Sequence, residues 1–270
     1  MKRLLSIAGV LSLVILAIIF VRCPGITGGE PTNLRVVADT DSTVKLTWTA
    51  PTEGTPDKYI VYFKDVSAAS YTMVANNVTT TEYIHDPNGA TGTYQVAAMF
   101  GSEEYKSSST VSTVPIATSA KTVAELNASG NSGYGWNRSD GSGTTYSMDE
   151  VANAPNVDFY ITDFQTSPVV YSIASPNLAP NDQPQIVEQG PWRVNGIAVV
   201  TSETAPLPTH NTTIYHNYEE ITATPFFAAV YTNADGYYAL VKLDGFNPQN
   251  KTYEASTWFQ LVKGLRLIKH

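Results

Sequence analysis

Cysteine is almost absent: the 270-residue chain has one, Cys23. A single cysteine excludes a disulfide framework and a cysteine-built zinc site within one chain. Charge is also scarce, at 15% of residues against about 25% in an ordinary soluble domain. What charge there is leans acidic, with 16 Lys and Arg against 24 Asp and Glu, a formal net charge of −8. That balance argues against general nucleic-acid binding, which depends on basic side chains neutralising phosphates. Leucine is thin as well: after residue 23 there are 10 Leu beside 32 Thr and 16 Tyr. Leu favours helices, whereas Thr and Tyr fit a pleated, half-buried surface, so the expected class is all-β. Nucleophile elbows, His-Glu-x-x-His helices, phosphate loops and dinucleotide fingerprints are all missing, which leaves no residue with an assigned catalytic role and no expected cofactor.

The one long hydrophobic run is Leu4 to Val21, behind Lys2 and Arg3. A basic start followed by an apolar stretch is the secretory signal pattern. Its 18 residues also reach the lower limit for crossing a bilayer, so residues 1–23 read as a signal peptide or a signal anchor. Cys23 stands where bacterial lipoproteins carry their lipid-modified cysteine, although Arg22 occupies a place where such signals have a small residue. On either reading the rest of the chain is exported, and a retained signal anchor or a lipid on Cys23 would hold it at the membrane, in the cell envelope or on the outer face. Without residues 1–23 the remainder has 13 basic and 24 acidic residues, a net −11. The basic start, this cysteine and the lack of disulfides are features of a prokaryotic exported protein. Five Asn-x-Ser/Thr triplets, at Asn77, Asn127, Asn137, Asn211 and Asn250, would be glycan acceptors only in a eukaryotic pathway.

A Gly/Pro linker, residues 24–30, leads into a series of short alternating runs. Leu34-Val36-Ala38, Val44-Leu46-Trp48, Tyr59-Val61-Phe63 and Tyr94-Val96-Ala98 each place apolar residues at every second position. Such period-two runs, separated by turn clusters, predict strands of a β-sandwich. The segments Pro31 to Leu34, Val44 to Pro51, Tyr59 to Tyr62 and Tyr94 to Ala98 together resemble a fibronectin type III domain over residues 31–117. The resemblance implies that Trp48 fills the space between two sheets and that the Tyr94 hydroxyl makes a tyrosine corner. It also implies a spacer or interaction module. No Arg-Gly-Asp triplet is present, the nearest approach being Arg138-Ser139-Asp140, so integrin-type adhesion has no support.

Residues 118–270 are long enough for a core of their own. Phe226 to Thr232 and Tyr237 to Leu243 flank Asn233-Ala-Asp-Gly236, a hairpin signal. Asn247 to Lys251 then makes a turn before Thr252 to Gln260, so the chain should end as an antiparallel meander. Val157 to Phe164 and Pro168 to Ile173 supply earlier strands, and Thr122 to Asn127 has mild helical character. Residues 129–145 read as a glycine-rich polar loop. The expected architecture is therefore a fibronectin type III β-sandwich followed by a second, antiparallel all-β domain.

Candidate site residues are few. Tyr134, Trp136, Trp192 and Trp258 lie in polar contexts, where exposed rings stack on sugars while Asn and Asp take the hydroxyls. His210 and His216 are the one close histidine pair; six residues apart on a straight strand they would be about 20 Å apart, too far to share a metal or haem unless the segment bends. The last strands, Tyr237 to Lys242 and Thr257 to Gln260, resemble haem-capturing surface lipoproteins of the HmuY type, which ligate haem with two histidines; no histidine of that pairing carries over onto these positions. Asp158 with Asp163, and Glu219 with Glu220, are candidate carboxylate pairs for a glycan-acting enzyme. Three classes stay open at this point: a membrane-anchored surface protein that binds a protein or glycan partner, a glycan- or haem-binding lipoprotein, and an enzyme with an unrecognised site.

Overall fold

The structure is a computed structural model that describes residues 28–270; the predicted signal segment and Cys23 lie outside the described residues. The first unit contains β1 (Thr32–Ala38), β2 (Val44–Thr49), β3 (Lys58–Asp65), β4 (Thr72–Val78), β5 (Glu82–His85), β6 (Gly92–Phe100), β7 (Glu103–Lys106) and β8 (Val111–Ser112). They form a three-stranded sheet, β1-β2-β5, facing a four-stranded one, β4-β3-β6-β7, with β8 also on β6. The alternation read from the sequence is the reason: Val44, Leu46 and Trp48 point into the core against Tyr59, Val61, Tyr94 and Val96. Trp48 meets Tyr59 edge to face at 5.2 Å. Tyr94 is fully buried, but its hydroxyl pairs with His85 Nδ1 at 2.9 Å rather than with backbone, so the corner is made by a side chain. The last edge of this unit is split between β7 and the two-residue β8, both paired to β6.

The second unit contains β9 (Ile116–Ala124), β10 (Gly133–Trp136), β11 (Gly143–Tyr146), β12 (Phe159–Thr162), β13 (Ser172–Ala174), β14 (Gly196–Val200), β15 (Tyr218–Glu220), β16 (Phe226–Tyr231), β17 (Tyr238–Asn247) and β18 (Thr252–Phe259). Two five-stranded sheets result, β11-β10-β12-β13-β15 and β14-β16-β17-β18-β9. Their facing sides share one core that includes Tyr134, Trp136, Phe159, Phe226, Val241 and Phe259. Both sheets are also covered on their outer faces. Loop residues Leu207 and Tyr215 and the late residue Ile268 pack on the back of β16 and β17. Short helical turns near Ala154 and Ala179, with Val187 and Trp192, cover the back of β12. Burial on both faces explains why FFAAVY and YALVKL read as continuous apolar runs although every pairing in their sheet is antiparallel.

Two local expectations change. Thr122 to Asn127 is not helical: it finishes β9 and turns, with Ala128 N bonded to Glu125 O. Residues 129–145 are not a loop throughout but the hairpin β10–β11 around a tight turn at Asn137 to Ser142. Glycine enters β10 for a packing reason: a Cβ on Gly135 would fall onto the Asn156 carbonyl. At the hairpin between β16 and β17, Gly236 takes φ +77, the conformation that turn demands.

The two units are fastened by the chain's final residues. Val262, Leu265 and Leu267 sit in the core of the first unit, while Ile268 belongs to a cluster of the second. Arg266 donates to Asp41 at 3.0 Å on one side and to the Leu207 carbonyl at 2.9 Å on the other. Buried Gln260 donates to the carbonyls of Thr113 and Leu267, and Thr91 Oγ1 donates to the Lys269 carbonyl. No helix among the described residues is long and apolar enough to cross a membrane.

Candidate functional site

The aromatic residues expected to form a ligand platform are core residues. Tyr134 is fully buried and Trp136 nearly so, and both polar atoms end on one hydroxyl, Thr257 Oγ1, at 2.9 and 3.0 Å. Trp192 is buried with its Nε1 on the Glu188 carbonyl. Trp258 is buried beneath His270, whose ring stacks on it at 4.2 Å. Two layers cause the correction: Tyr134 and Trp136 are enclosed between the facing sheets, and the outer coverings hide Trp192 and Trp258. The histidines are likewise separated in their contacts. The His210 ring stacks on Tyr231 at 3.8 Å, and burial pulls its pKa down. His216 is exposed and pairs with Glu219 at 2.6 Å. Among the described residues no group of three or more His, Cys, Asp or Glu is placed to hold a metal.

The first carboxylate pair also divides. Asp158 is the hub of a buried charge network. Arg138 grips both its oxygens at 2.7 and 2.8 Å, and Arg193 reaches it at 3.3 Å. Both arginines also hold Asp235, at 2.9 and 2.6 Å. Burial alone would raise the Asp235 carboxyl, but the hydrogen bonds and charges of these arginines hold it below the usual range. This network ties β10, the segment before β12, the approach to β14 and the β16–β17 hairpin together; with every charge answered, it is architecture. Asp163 belongs elsewhere, beside Lys251.

Two concavities deserve comparison. One, of ≈ 480 Å³, lies between the units and is lined by Asn88 to Ala90, Glu203 to Pro206 and Arg266 to His270. Its charged groups are already paired: Arg266 with Asp41, Lys269 with Asp65 and His270 with Glu203. The other is a double groove flanking β15, the edge strand of its sheet. One lobe, ≈ 440 Å³, is lined by Val199, His216, Tyr218, Glu219, Glu220 and Thr222. The adjoining lobe, ≈ 320 Å³, has Phe164, Thr166, Val170, Ser172 and Leu178 and shares Tyr218 and Glu220. Tyr218 is 45% exposed and meets Phe164 edge to face at 5.0 Å. Glu220 has no ion-pair partner among the described residues.

A strained turn holds this groove's floor. Phe164 and Gln165 take φ of +45 and +54, a conformation that costs a non-glycine residue on the order of 1 kcal/mol or more. Local hydrogen bonds hold it: Phe164 N donates to Thr162 Oγ1 at 3.0 Å and Gln165 N to Asp163 Oδ1 at 2.8 Å. An apolar ring face beside carboxylate and hydroxyl oxygens is chemistry suited to a sugar ring. Of the residues singled out in the sequence, His216, Glu219 and Glu220 meet here. Tyr218 and Phe164 were missed, since only the tertiary fold brings positions 164 and 218 together.

Comparison with known proteins matches residues 29–113 to the fibronectin type III domain family. No curated protein matches the chain. Among solved structures, an Fn3-like protein from Clostridium thermocellum is 28% identical, over 31% of this chain and 88% of its own, with a TM-score of 0.28. A DUF4466 family protein from Parabacteroides merdae is 11% identical over 88% of this chain and 95% of its own, with a TM-score of 0.44. A two-domain fibronectin type III segment of chicken tenascin is 14% identical over 85% of this chain and 98% of its own, at 0.28. Residues 29–113 are therefore a fibronectin type III domain, a binding or spacer module, on a chain whose later residues form further β-sheets.

Proposed function

We propose that this is an exported, envelope-anchored binding protein. Its fibronectin type III domain is the spacer, and its second unit takes a carbohydrate in the groove along β15. The observation that carries this reading is the groove itself: Tyr218 stands exposed there beside the unpaired carboxylate of Glu220, whereas Tyr134 and all four tryptophans are buried. The inter-unit cleft does not compete, because its charges are already answered. Anchoring is supported by the apolar run behind Lys2 and Arg3 and by Cys23.

The test is binding of the full chain, solubilised in mild detergent, to an array of neutral and acidic oligosaccharides. One or more should be retained. Tyr218→Ala should weaken that binding at least about tenfold, the equivalent of about 1.4 kcal/mol, and Glu220→Gln should weaken it less. Retention of no oligosaccharide, or equal retention by Tyr218→Ala, overturns the glycan assignment. In intact membrane fractions, taken before detergent is added, loss of membrane association on Cys23→Ser marks a lipid anchor, and its persistence marks a signal anchor.

A further inference from the structure

At the far end of β9 three charged side chains meet. Glu125 is fully buried, and neither of its carboxylate oxygens accepts a hydrogen bond. An ionised carboxylate in that position is costly, and such groups are found paired or put to use. Lys251 Nζ lies 3.6 Å from Glu125 Oε2 and 4.0 Å from Asp163 Oδ2, so one amine stands between two carboxylates. The Asp163 side chain is 9% exposed and that of Lys251 42%, which brings the amine in from the rim.

The backbone fixes all three. Glu125 N donates to Lys251 O at 2.8 Å. Glu125 also bridges in parallel to Ile161, two residues before Asp163. Lys251 takes φ +51, a second strained position beside the turn at Phe164 and Gln165. Tyr171 feels the charge of all three groups and packs on Phe246 and Tyr253, giving the cluster an aromatic wall. Burial raises the Glu125 carboxyl above its usual range, with the charge of Asp163 adding to it and the Asn127 backbone N–H and Lys251 opposing it. That direction suits a group that takes a proton and returns it.

We propose that Lys251 and Asp163 condense into an intramolecular amide, with Glu125 carrying the proton. The ammonium gives one proton to Glu125, and the freed Nζ lone pair attacks Asp163 Cγ. The new bond is Nζ–Cγ, and the bond that breaks is Cγ to one carboxylate oxygen. That oxygen leaves as water with two protons: the one Glu125 returns and a second from nitrogen. One ammonium and one carboxylate thus become one amide and one water, with no redox partner needed. Lys251 Nζ now stands 4.0 Å from Asp163 Oδ2, so the side chains must close further to bring Nζ to the roughly 3–3.5 Å from Cγ at which such reactions proceed. The link would join the β12 end to the β17–β18 hairpin, a covalent staple in an exported chain with a single cysteine.

Peptide mapping of the purified full chain tests this. A proteolytic digest should contain a branched peptide joining the segments around 163 and 251, one water lighter than the sum of its two linear parts. The branch should vanish in Lys251→Arg, which keeps the positive charge, and fall to a small fraction in Glu125→Gln. Recovery of both linear peptides alone from the unaltered chain overturns the proposal and leaves an ion pair. A water loss that maps to Asp140-Gly141, Asp235-Gly236 or Asp244-Gly245 is backbone succinimide and overturns it equally. Because the deciding measurement is made on the unaltered protein, a variant that fails to fold does not obscure the answer.

Discussion

Each of the four tryptophans anchors a different hydrophobic cluster: Trp48 in the first unit, Trp136 between the second unit's sheets, Trp192 and Trp258 on its two outer faces. The indole nitrogens of Trp136 and Trp192 donate to a hydroxyl and a carbonyl, and that of Trp48 is buried without a partner. Residue type alone cannot report this, because a tryptophan between glycine and asparagine reads as a loop residue until the layer covering it is known. Asp158 is a similar case. Its sequence context gives no sign of Arg138, 20 positions away, or of Arg193, 35 away. Asp158→Ala would leave two half-buried arginines answered only by Asp235. The expected cost is about 3–5 kcal/mol, the range for breaking a buried ion pair, read as a lower urea midpoint with an unchanged slope.

Elements were legible wherever alternation or a turn signal was strong. β2, β3 and β6 follow their apolar alternation, and the β16–β17 hairpin follows Asn233 to Gly236. β10 and β11 were hidden because Gly133 and Gly135 carry no side chain from which a pattern could be read; the hairpin ladder makes them strand residues, and neighbouring atoms that leave no room for a Cβ make them glycine. β15 was hidden by its length of three residues, so the groove along it was hidden too. The final segment carries the other element-scale surprise. Leu265 is fully buried in a core built by residues more than 150 positions earlier, a partnership that periodicity cannot reveal. Leu265→Ala should cost about 2–5 kcal/mol, the range for a truncated core leucine. In calorimetry the fibronectin type III unit should lose most, and a shift confined to the second unit would refute the fastening role of this segment.

For the whole molecule, the pairing of charges sets a direction for acid sensitivity. Burial holds His85 and His210 below the ordinary histidine value of about 6.5. Below that pH the unfolded chain takes a proton that the folded one resists, so stability should fall as pH drops through this window and level once the folded histidines charge. A second decline belongs to the carboxylates. Hydrogen bonds from Ser67, then Lys269, bring Asp65 down to about 2, and the arginines depress Asp235; their contribution is present above about 4 and lost below it. Thermal midpoints between pH 7 and 5 should therefore fall in the unaltered protein and less in His85→Gln; equal slopes would show that His85 does not drive the first decline. Since Lys269 meets Asp65 across the two units, the second decline also loosens their junction. The distribution of the tryptophans gives the molecule a built-in reporter of these events. Variants that keep one indole apiece would emit from one compartment at a time, and the order of their red shifts during unfolding would give the order in which spacer, sandwich interior and outer layers open to water.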